Sequence, residues 1–331
     1  MPVGRVCSVA GTNNPAEKNF NLSKTALVAG VTGIGGSATA ALLVEQGWTV
    51  YGLARSGTQQ DGVQSVAADL LDASATVEAL ADINPDAIFI TTWLRQETEA
   101  ENIRVNAAMV RNLLKGVPRA PQHVALVTGL KHYLGPFEAY GKGSLPQTPF
   151  REEQGRLDVE NFYYAQEDEV FAAAERDGFT WSVHRPHTVI GKAVGNAMNM
   201  GTTLAVYATL CRETGRPFTF PGSSAQWSGL TDMTDAGQLA RHLLWATETE
   251  AAHDQAFNIV NGDVFRWRSP SGSASRRRPS MAPSARSNNR WRMTRACGAP
   301  SPSARDLPSQ TSPGSHRPGT PTPISVVRSR W

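Results

Sequence analysis

The sequence of 331 residues has little cysteine and no long apolar run. Its three cysteines, Cys7, Cys211 and Cys297, are far apart and odd in number, which excludes a disulfide framework and a cysteine metal site. No run approaches the roughly 20 apolar residues of a membrane-spanning helix. The polar start of the chain does not resemble a secretory signal. We therefore expect a cytoplasmic protein that does not contact a membrane.

Acidic residues are almost absent from the end of the chain. Between Arg268 and Trp331 there are twelve arginines, one aspartate and no lysine, and more than half of the residues are serine, proline or arginine. The net charge of +3 therefore combines an acidic body with a basic tail. Because the tail has no apolar periodicity, it cannot bury enough surface to offset the entropy of ordering it, and we expect it to be disordered.

Apolar runs alternate with helical patterns in the rest of the chain. The apolar runs predict strands at Thr25–Ala29, Trp48–Ala54, Ser65–Asp69, Ala87–Thr92, His123–Thr128 and Thr180–His184. Helical spacing predicts helices at Ser37–Gln46, Thr76–Ile83, Glu101–Lys115, residues 160–176 and residues 202–213. Parallel strands covered on both faces give such continuous runs. We predict an α/β fold, a doubly wound parallel sheet (Rossmann) with a small C-terminal part that is truncated or replaced by the disordered tail.

Gly30, Gly33 and Gly36 follow the first predicted strand directly and open the first predicted helix. The first glycine allows a tight turn, the second lets the backbone approach a pyrophosphate, and the third lets helix and strand pack closely. The N-terminus of the helix then faces the anion. In this context the pattern predicts a dinucleotide site, to which Thr32 and Ile34 of the turn also contribute. A glycine-rich turn without a ligand is the weaker alternative.

The second predicted strand ends at Arg55 and Ser56. An acidic residue there would accept the ribose 2′-hydroxyl of NAD, whereas an arginine and a hydroxyl suit the 2′-phosphate of NADP. We therefore predict NADP(H) as the cofactor, the alternative being an arginine that is merely exposed. Asp69 and Leu70, at the end of the third strand, are expected at the adenine edge, with helix capping as an alternative role for Asp69.

The glycine spacing resembles the extended short-chain dehydrogenase/reductase superfamily, whose members normally carry a Tyr-x-x-x-Lys pair. None of the six tyrosines of this chain has a lysine four residues later. Two explanations are open: the chain is a non-catalytic relative, or its lysine comes from another part of the chain.

Three specific runs follow one another in the middle of the chain. They are Lys131-His-Tyr-Leu-Gly-Pro-Phe137, Asn161-Phe-Tyr-Tyr164 and Trp181-Ser-Val-His-Arg-Pro186. In this order they resemble the progesterone 5β-reductase/iridoid synthase-like family, as do shorter runs at residues 91–93, 201–207 and 256–267. The resemblance extends over roughly residues 24–267.

This resemblance implies an NADPH-dependent reduction of the C=C bond of an enone-type small molecule. The lysine and tyrosine of the family match Lys131 and Tyr164, the second tyrosine of the pair, which would stabilise charge on the carbonyl oxygen during hydride addition. Trp93 and Phe162 would form pocket walls. Further residues are expected at the cofactor, namely Thr92, Thr128, Gly129, Tyr164, Pro186 and Val189.

His132, His184 and His187 raise the question of a metal or an acid–base site. They fall on different elements and have no carboxylate at ligand spacing. We therefore expect structural histidines and no bound metal.

Composition and the resemblance together divide the chain into three parts. Polar residues 1–23 are expected to form a loose leader, residues 24–267 a reductase domain with substrate-binding insertions, and residues 268–331 the tail. The family continues past residue 267 with helices that close the substrate pocket, so one hypothesis is that a reading-frame shift replaced them. A functional basic tail that binds phosphates is the rival hypothesis, although we expect no nucleic-acid partner.

Two other functions stay open at this point. The chain could be a weak or inactive NADP(H)-binding sensor whose pocket lacks its C-terminal wall. It could also be a carbonyl reductase or a sugar-nucleotide epimerase, against which the missing Tyr-x-x-x-Lys pair argues. A homodimer is compatible with each of these functions.

Overall fold

The computed structural model describes residues 23–139, 148–193, 198–268 and 282–283 of the chain. The strands are β1 Thr25–Ala29, β2 Thr49–Ala54, β3 Val63–Ala67, β4 Ala87–Ile90, β5 His123–Val127, β6 Thr180–Pro186, β7 Val189–Ile190, β8 Thr219–Phe220, β9 Thr234–Asp235, β10 Gln255–Ile259 and β11 Ala282–Pro283. The helices are α1 Ile34–Glu45, α2 Ala73–Leu80, α3 Glu99–Gly116, α4 Lys131–Leu134, α5 Phe162–Asp177, α6 Met200–Glu213, α7 Ser224–Ser228 and α8 Ala236–Glu248. Short 3-10 turns lie at Phe137–Ala139 and Glu250–Ala252.

Seven strands form one parallel sheet in the order β10-β6-β5-β4-β1-β2-β3. Helices cover both of its faces, so alternate residues of one strand enter two different cores. Leu27 and Ala29 of β1 pack in the core that α2, α3 and α5 complete. Ala26 and Val28 pack in the core that α1 and α8 complete. The predicted doubly wound Rossmann sheet is confirmed.

The strand order reverses between β1 and β4, which are neighbours in the sheet. At such a point the loops after the two strands leave toward opposite faces and open a crevice at the carboxyl ends of the strands. The glycine turn follows β1, and the run from Thr91 to Trp93 follows β4. The fold therefore brings these two segments to one edge of the sheet.

Some elements differ from the sequence predictions. Helix α1 begins at Ile34, three residues before its predicted start, because Gly33 is its N-cap. The short helix α4, which Lys131 opens, is not predicted from the sequence. Strand β10 is not predicted, because Gln255 and Asn258 interrupt its apolar residues, and it lies at the edge of the sheet beside β6.

All of the predicted leader except Ser23, and almost all of the predicted tail, lie outside the described residues, so the domain boundaries stay predictions. Within the described ranges, no helix has the length and the apolar character that crossing a membrane requires.

Candidate active site

A cavity of about 800 Å³ lies at the carboxyl edge of the sheet, beside the ends of β1, β2, β4, β5 and β6. Most of the predicted cofactor residues line it, namely Gly30, Thr32, Gly33, Ile34, Arg55, Asp69, Leu70, Thr92, Thr128, Gly129, Pro186 and Val189. Trp93 and Lys131 line it too. Four predicted site residues do not line it, namely Gly36, Ser56, Phe162 and Tyr164.

The glycine turn leaves no room for side chains. Gly30 has a φ of 85°, and a Cβ atom on it would lie 2.7 Å from the Cβ atom of Thr92. A Cβ atom on Gly36 would lie 2.2 Å from the carbonyl oxygen of Gly30, so this glycine is required although it does not line the cavity. Gly33 caps α1 without a side-chain hydrogen bond, which leaves the N-terminus of α1 open to an anion. The turn fits the pyrophosphate of a dinucleotide.

The adenosine end of the cavity carries one basic and one acidic side chain, Arg55 and Asp69. Asp72 caps α2 by accepting from the backbone N–H of Ala75, so the capping role considered for Asp69 is wrong. The carboxylate of Asp69 instead accepts from the backbone N–H of Leu71 at 3.0 Å and stays beside the cavity. The exposed guanidinium of Arg55 suits a 2′-phosphate.

Lys131 lines the cavity and is buried, with 3% of its surface exposed. Its Nζ donates to Oε1 of Glu99 at 2.5 Å and to Oδ1 of Asn161 at 3.3 Å. Burial lowers the pKa of Lys131 below its usual value, and the hydrogen bond and charge of Glu99 limit the fall. A paired ammonium group therefore stands at the cavity.

Glu99 is a site residue that the sequence analysis missed. It stands between Glu97 and Glu101, and an acidic run at a helix N-terminus is usually solvated. The one available signal is its spacing to Asn102 and Asn106, which places three polar residues on one face of α3. All three are buried in the structure.

The two adjacent tyrosines of α5 reach different places. Tyr163 lines the cavity, and a Cβ atom on Gly129 would lie 3.4 Å from its hydroxyl oxygen. The hydroxyl of Tyr164 instead donates to the carbonyl oxygen of His132 at 2.5 Å and accepts from the backbone N–H of Leu157 at 3.0 Å. Burial raises the pKa of Tyr164, so its proton is held in this contact. The placement of Tyr164 in the cavity is therefore contradicted.

Helix geometry explains why Tyr163 and Tyr164 point in different directions. Consecutive residues of a helix point about 100° apart, since a turn takes about 3.6 residues. Only one tyrosine of the pair can face the cavity. The sequence does not reveal which one, because both neighbours are aromatic and both are buried.

Aromatic rings form the wall beside Lys131. The ring of Trp93 lies 6.0 Å from that of Phe137 and 5.3 Å from that of Phe162, measured between centroids. Trp93 and Phe137 line the cavity, together with Leu94 and Leu134. Phe162 is fully buried behind them, so it supports the wall and does not form its surface.

The three histidines of the sequence analysis are separate in the structure. His132 lies 3.7 Å from a carboxylate oxygen of Glu167, and His187, which lines the cavity, contacts the carboxylate of Asp232 through Nδ1. Both carboxylates are distant in sequence from their histidines, so ligand spacing could not reveal these two contacts. Across the ranges that the structure describes, no three His, Cys, Asp or Glu side chains form a group that could hold a metal.

His184 belongs to a chain of hydrogen bonds that joins β5, β6 and α8. Its Nε2 lies 2.9 Å from the hydroxyl of Ser182, which is also 2.8 Å from Nε2 of His123, and its Nδ1 lies 3.1 Å from Nδ1 of His242. Burial, with a smaller contribution from His242, holds the pKa of His184 well below its usual value. This histidine is structural.

Comparison with known proteins gives one family and a group of plant enzymes. The NAD dependent epimerase/dehydratase family matches residues 26–260. An (S)-8-oxocitronellyl enol synthase of Nepeta cataria is 40% identical over 265 residues, which cover 75% of this chain and 67% of that enzyme. A 3-oxo-Delta(4,5)-steroid 5-beta-reductase of Arabidopsis thaliana is 37% identical over 268 residues, covering 76% and 68%.

Solved structures share the fold at lower identity. The UDP-glucose 4-epimerase of Brucella ovis in complex with NAD aligns with a TM-score of 0.58 and 19% identity, covering 74% of this chain and 80% of that one. A putative epimerase of Burkholderia cenocepacia aligns with a TM-score of 0.56 and 21% identity, covering 74% and 78%. At these identities the likeness concerns the fold alone.

Proposed function

The chain belongs to the NAD dependent epimerase/dehydratase family and, within it, to the group of the plant enol synthases and steroid 5β-reductases, and from this premise we propose that it reduces the C=C bond of an enone with NADPH. One observation carries the proposal. A single cavity joins a glycine turn that fits a dinucleotide to a buried lysine and a tyrosine, although the chain has no Tyr-x-x-x-Lys pair.

The residues that would hold the cofactor follow the length of the cavity. Gly30, Gly33 and the N-terminus of α1 would bind the pyrophosphate, and Arg55 would bind the 2′-phosphate. The backbone from Pro186 to Val189, together with Gly129, would contact the nicotinamide. When bound, NADPH supplies a hydride, and with it two electrons, to the β-carbon of the enone.

Lys131 and Tyr163 would act on the carbonyl oxygen of the enone. Hydride addition to the β-carbon moves an electron pair onto this oxygen as an enolate forms, and addition of a proton from solvent at the α-carbon then restores the carbonyl group of the saturated product. The ammonium group of Lys131, which is itself buried, and the phenol of Tyr163 would stabilise that charge by hydrogen bonding. Tyr163 takes the role that the sequence assigned to Tyr164.

The walls favour a mainly apolar substrate. Trp93, Leu94, Leu134 and Phe137 line the cavity beside Lys131 and offer no charge to a substrate. An apolar small molecule with one conjugated carbonyl group would place that carbonyl at Lys131 and bury its hydrocarbon part against the rings.

Stereospecifically deuterated NADPH tests the proposal. The purified protein is mixed with the labelled cofactor and a panel of enones, and the products are analysed by mass spectrometry and NMR. We expect one deuterium at the β-carbon of a product whose carbonyl group is intact. Deuterium on the carbinol carbon of an alcohol would instead identify a carbonyl reductase, and tight NADPH binding with no product from any enone would identify a sensor.

We also propose a cytoplasmic location, a homodimer and a reductase domain over residues 24–267. Limited proteolysis is expected to leave a fragment of these residues intact, and sedimentation of the full chain measures its oligomeric state. Cell fractionation checks the compartment.

A further inference from the structure

A helical Tyr-x-x-x-Lys pair fixes its own spacing, because side chains four residues apart lie one above the other on a helix. Lys131 and Tyr163 cannot be positioned in this way. They belong to α4 and α5, which are separate helices. Some tertiary contact must hold the ammonium group at a fixed distance from the phenol.

Glu99 makes such a contact from a third helix, α3. Its Oε1 accepts from Nζ of Lys131 at 2.5 Å and from the backbone N–H of Phe162 at 2.7 Å. Its Oε2 accepts from the side-chain amide of Asn102 at 3.3 Å. One carboxylate oxygen thus joins the lysine to the residue that precedes Tyr163. Glu99 is 8% exposed, so solvent competes little for these bonds.

Asn161, the N-cap of α5, makes a second connection. Its Nδ2 donates to the carbonyl oxygen of Lys131 at 2.9 Å. Its Oδ1 accepts from the backbone N–H of Tyr163 at 3.1 Å and from Nζ of Lys131 at 3.3 Å. Both ends of Lys131, its backbone and its ammonium group, are therefore attached to the start of α5.

We propose that Glu99 is the positioning residue of this active site, and that with Asn161 it sets the distance between Lys131 and Tyr163 that helical spacing sets in relatives with a Tyr-x-x-x-Lys pair. The proposal rests on the function proposed above and adds a residue to it. Glu99 acts through Lys131 and does not line the cavity.

The charge of Glu99 has a second effect on the lysine. Around Nζ stand the rings of Phe162 and Phe137, with centroids at 4.7 and 5.3 Å, and Arg95 lies 4.5 Å from the second ring. Glu138 is the other carboxylate that acts on Lys131, and it contributes less than Glu99. Without Glu99, burial would dominate and the ammonium group would lose its proton at lower pH.

The test is Glu99→Gln in the full chain, compared with Glu101→Gln. Glutamine keeps an oxygen that can accept from Phe162 but removes the charge. We expect kcat for enone reduction to fall about 100-fold, the lower range for loss of an oxyanion donor. The alkaline limb of the kcat profile should move toward lower pH, and NADPH affinity should stay as in the wild type. Glu101, exposed and paired with Arg104 one turn away, should leave the profile unchanged.

A double-mutant cycle separates positioning from general support of the fold. In a Lys131→Met background, Glu99→Gln should change kcat by less than about twofold, because the residue through which Glu99 acts is already absent. Thermal unfolding and NADPH binding check that each variant is folded. If Glu99→Gln fails to fold, the double variant still gives the answer, since removing both partners of a buried pair is usually tolerated.

Two results would overturn the proposal while leaving the function intact. One is an active wild-type enzyme whose pH profile does not move in folded Glu99→Gln. The other is an additional loss of kcat in the double variant as large as the loss in the single variant. Failure of the wild-type protein to reduce any enone would instead overturn the proposed function.

Discussion

The two halves of the cavity are built in different ways. The cofactor half is centred on one strand–turn–helix unit, which contains Gly30, Gly33 and Gly36. The proposed catalytic half has no such unit, because Lys131 and Tyr163 come from separate helices and Glu99, which holds Lys131, comes from a third. A local unit carries its own geometry, whereas an assembled site depends on how helices pack. The two halves should therefore respond separately to substitution.

Lys131→Met should cause the largest loss of kcat among the proposed variants. It should leave the binding of NADPH unchanged. Loss of one donor to a developing oxyanion raises the barrier by about 3–4 kcal/mol, so kcat should fall about 10²–10³-fold. Stopped-flow measurement of NADPH oxidation gives kcat, and fluorescence titration gives the dissociation constant of NADPH, which should stay near the wild-type value. A parallel loss of NADPH binding would show that the halves are not separate.

Arg55→Ala should weaken NADPH binding and leave kcat nearly unchanged, which is the reverse of the result expected for Lys131→Met. The guanidinium group would bind the 2′-phosphate through charge-assisted hydrogen bonding, which contributes about 2 kcal/mol in total at this exposed position. The dissociation constant of NADPH should rise about 30-fold, as this energy implies, with little change for NADH and in kcat at saturation. Equal affinity for the two cofactors in the wild type would contradict the assignment of NADP(H).

The contrast between a local turn and a site assembled from several helices also explains which features the sequence could predict. The sheet and the glycine turn follow from local patterns, namely apolar strands and a turn in which a Cβ atom on Gly36 would collide with backbone. The choice between Tyr163 and Tyr164 depends on which face of α5 meets the cavity. The role of Glu99 depends on the approach of α3 to α4. A short run of residues specifies neither the face of α5 that meets the cavity nor the packing of α3 against α4.

The buried histidines of β5 and β6 should make stability depend on pH. Burial, with the charge of His253, lowers the pKa of His123 from 6.5 to about 4, and His184 shifts in the same direction. Because the unfolded chain binds these protons first, the free energy of unfolding should fall as pH drops below about 6.5, by about 1.4 kcal/mol per pH unit for each proton. Chemical denaturation at several pH values measures the slope.

The variant His123→Gln assigns that slope. It should reduce the slope, because one buried neutral histidine is removed. A slope unchanged in His123→Gln would contradict the assignment.

Tyr164→Phe should have the smallest effect of these variants. It should lower the free energy of unfolding and leave kcat unchanged. The variant loses the hydroxyl that joins the carbonyl oxygen of His132 to the backbone N–H of Leu157. The free energy of unfolding should fall by about 1–2 kcal/mol, as for a buried hydrogen bond whose partner is left unsatisfied. Urea denaturation near neutral pH measures this difference, and an unchanged midpoint would contradict the described contact.

The central claim is that the catalytic half contains Tyr163 and not its neighbour. The most direct measurement is kcat for NADPH-dependent enone reduction in Tyr163→Phe and in Tyr164→Phe, two variants that each remove one hydroxyl from adjacent residues. We predict a loss of about 10²–10³-fold for Tyr163→Phe, with wild-type kcat for folded Tyr164→Phe. A large loss in Tyr164→Phe together with an active Tyr163→Phe would contradict the account.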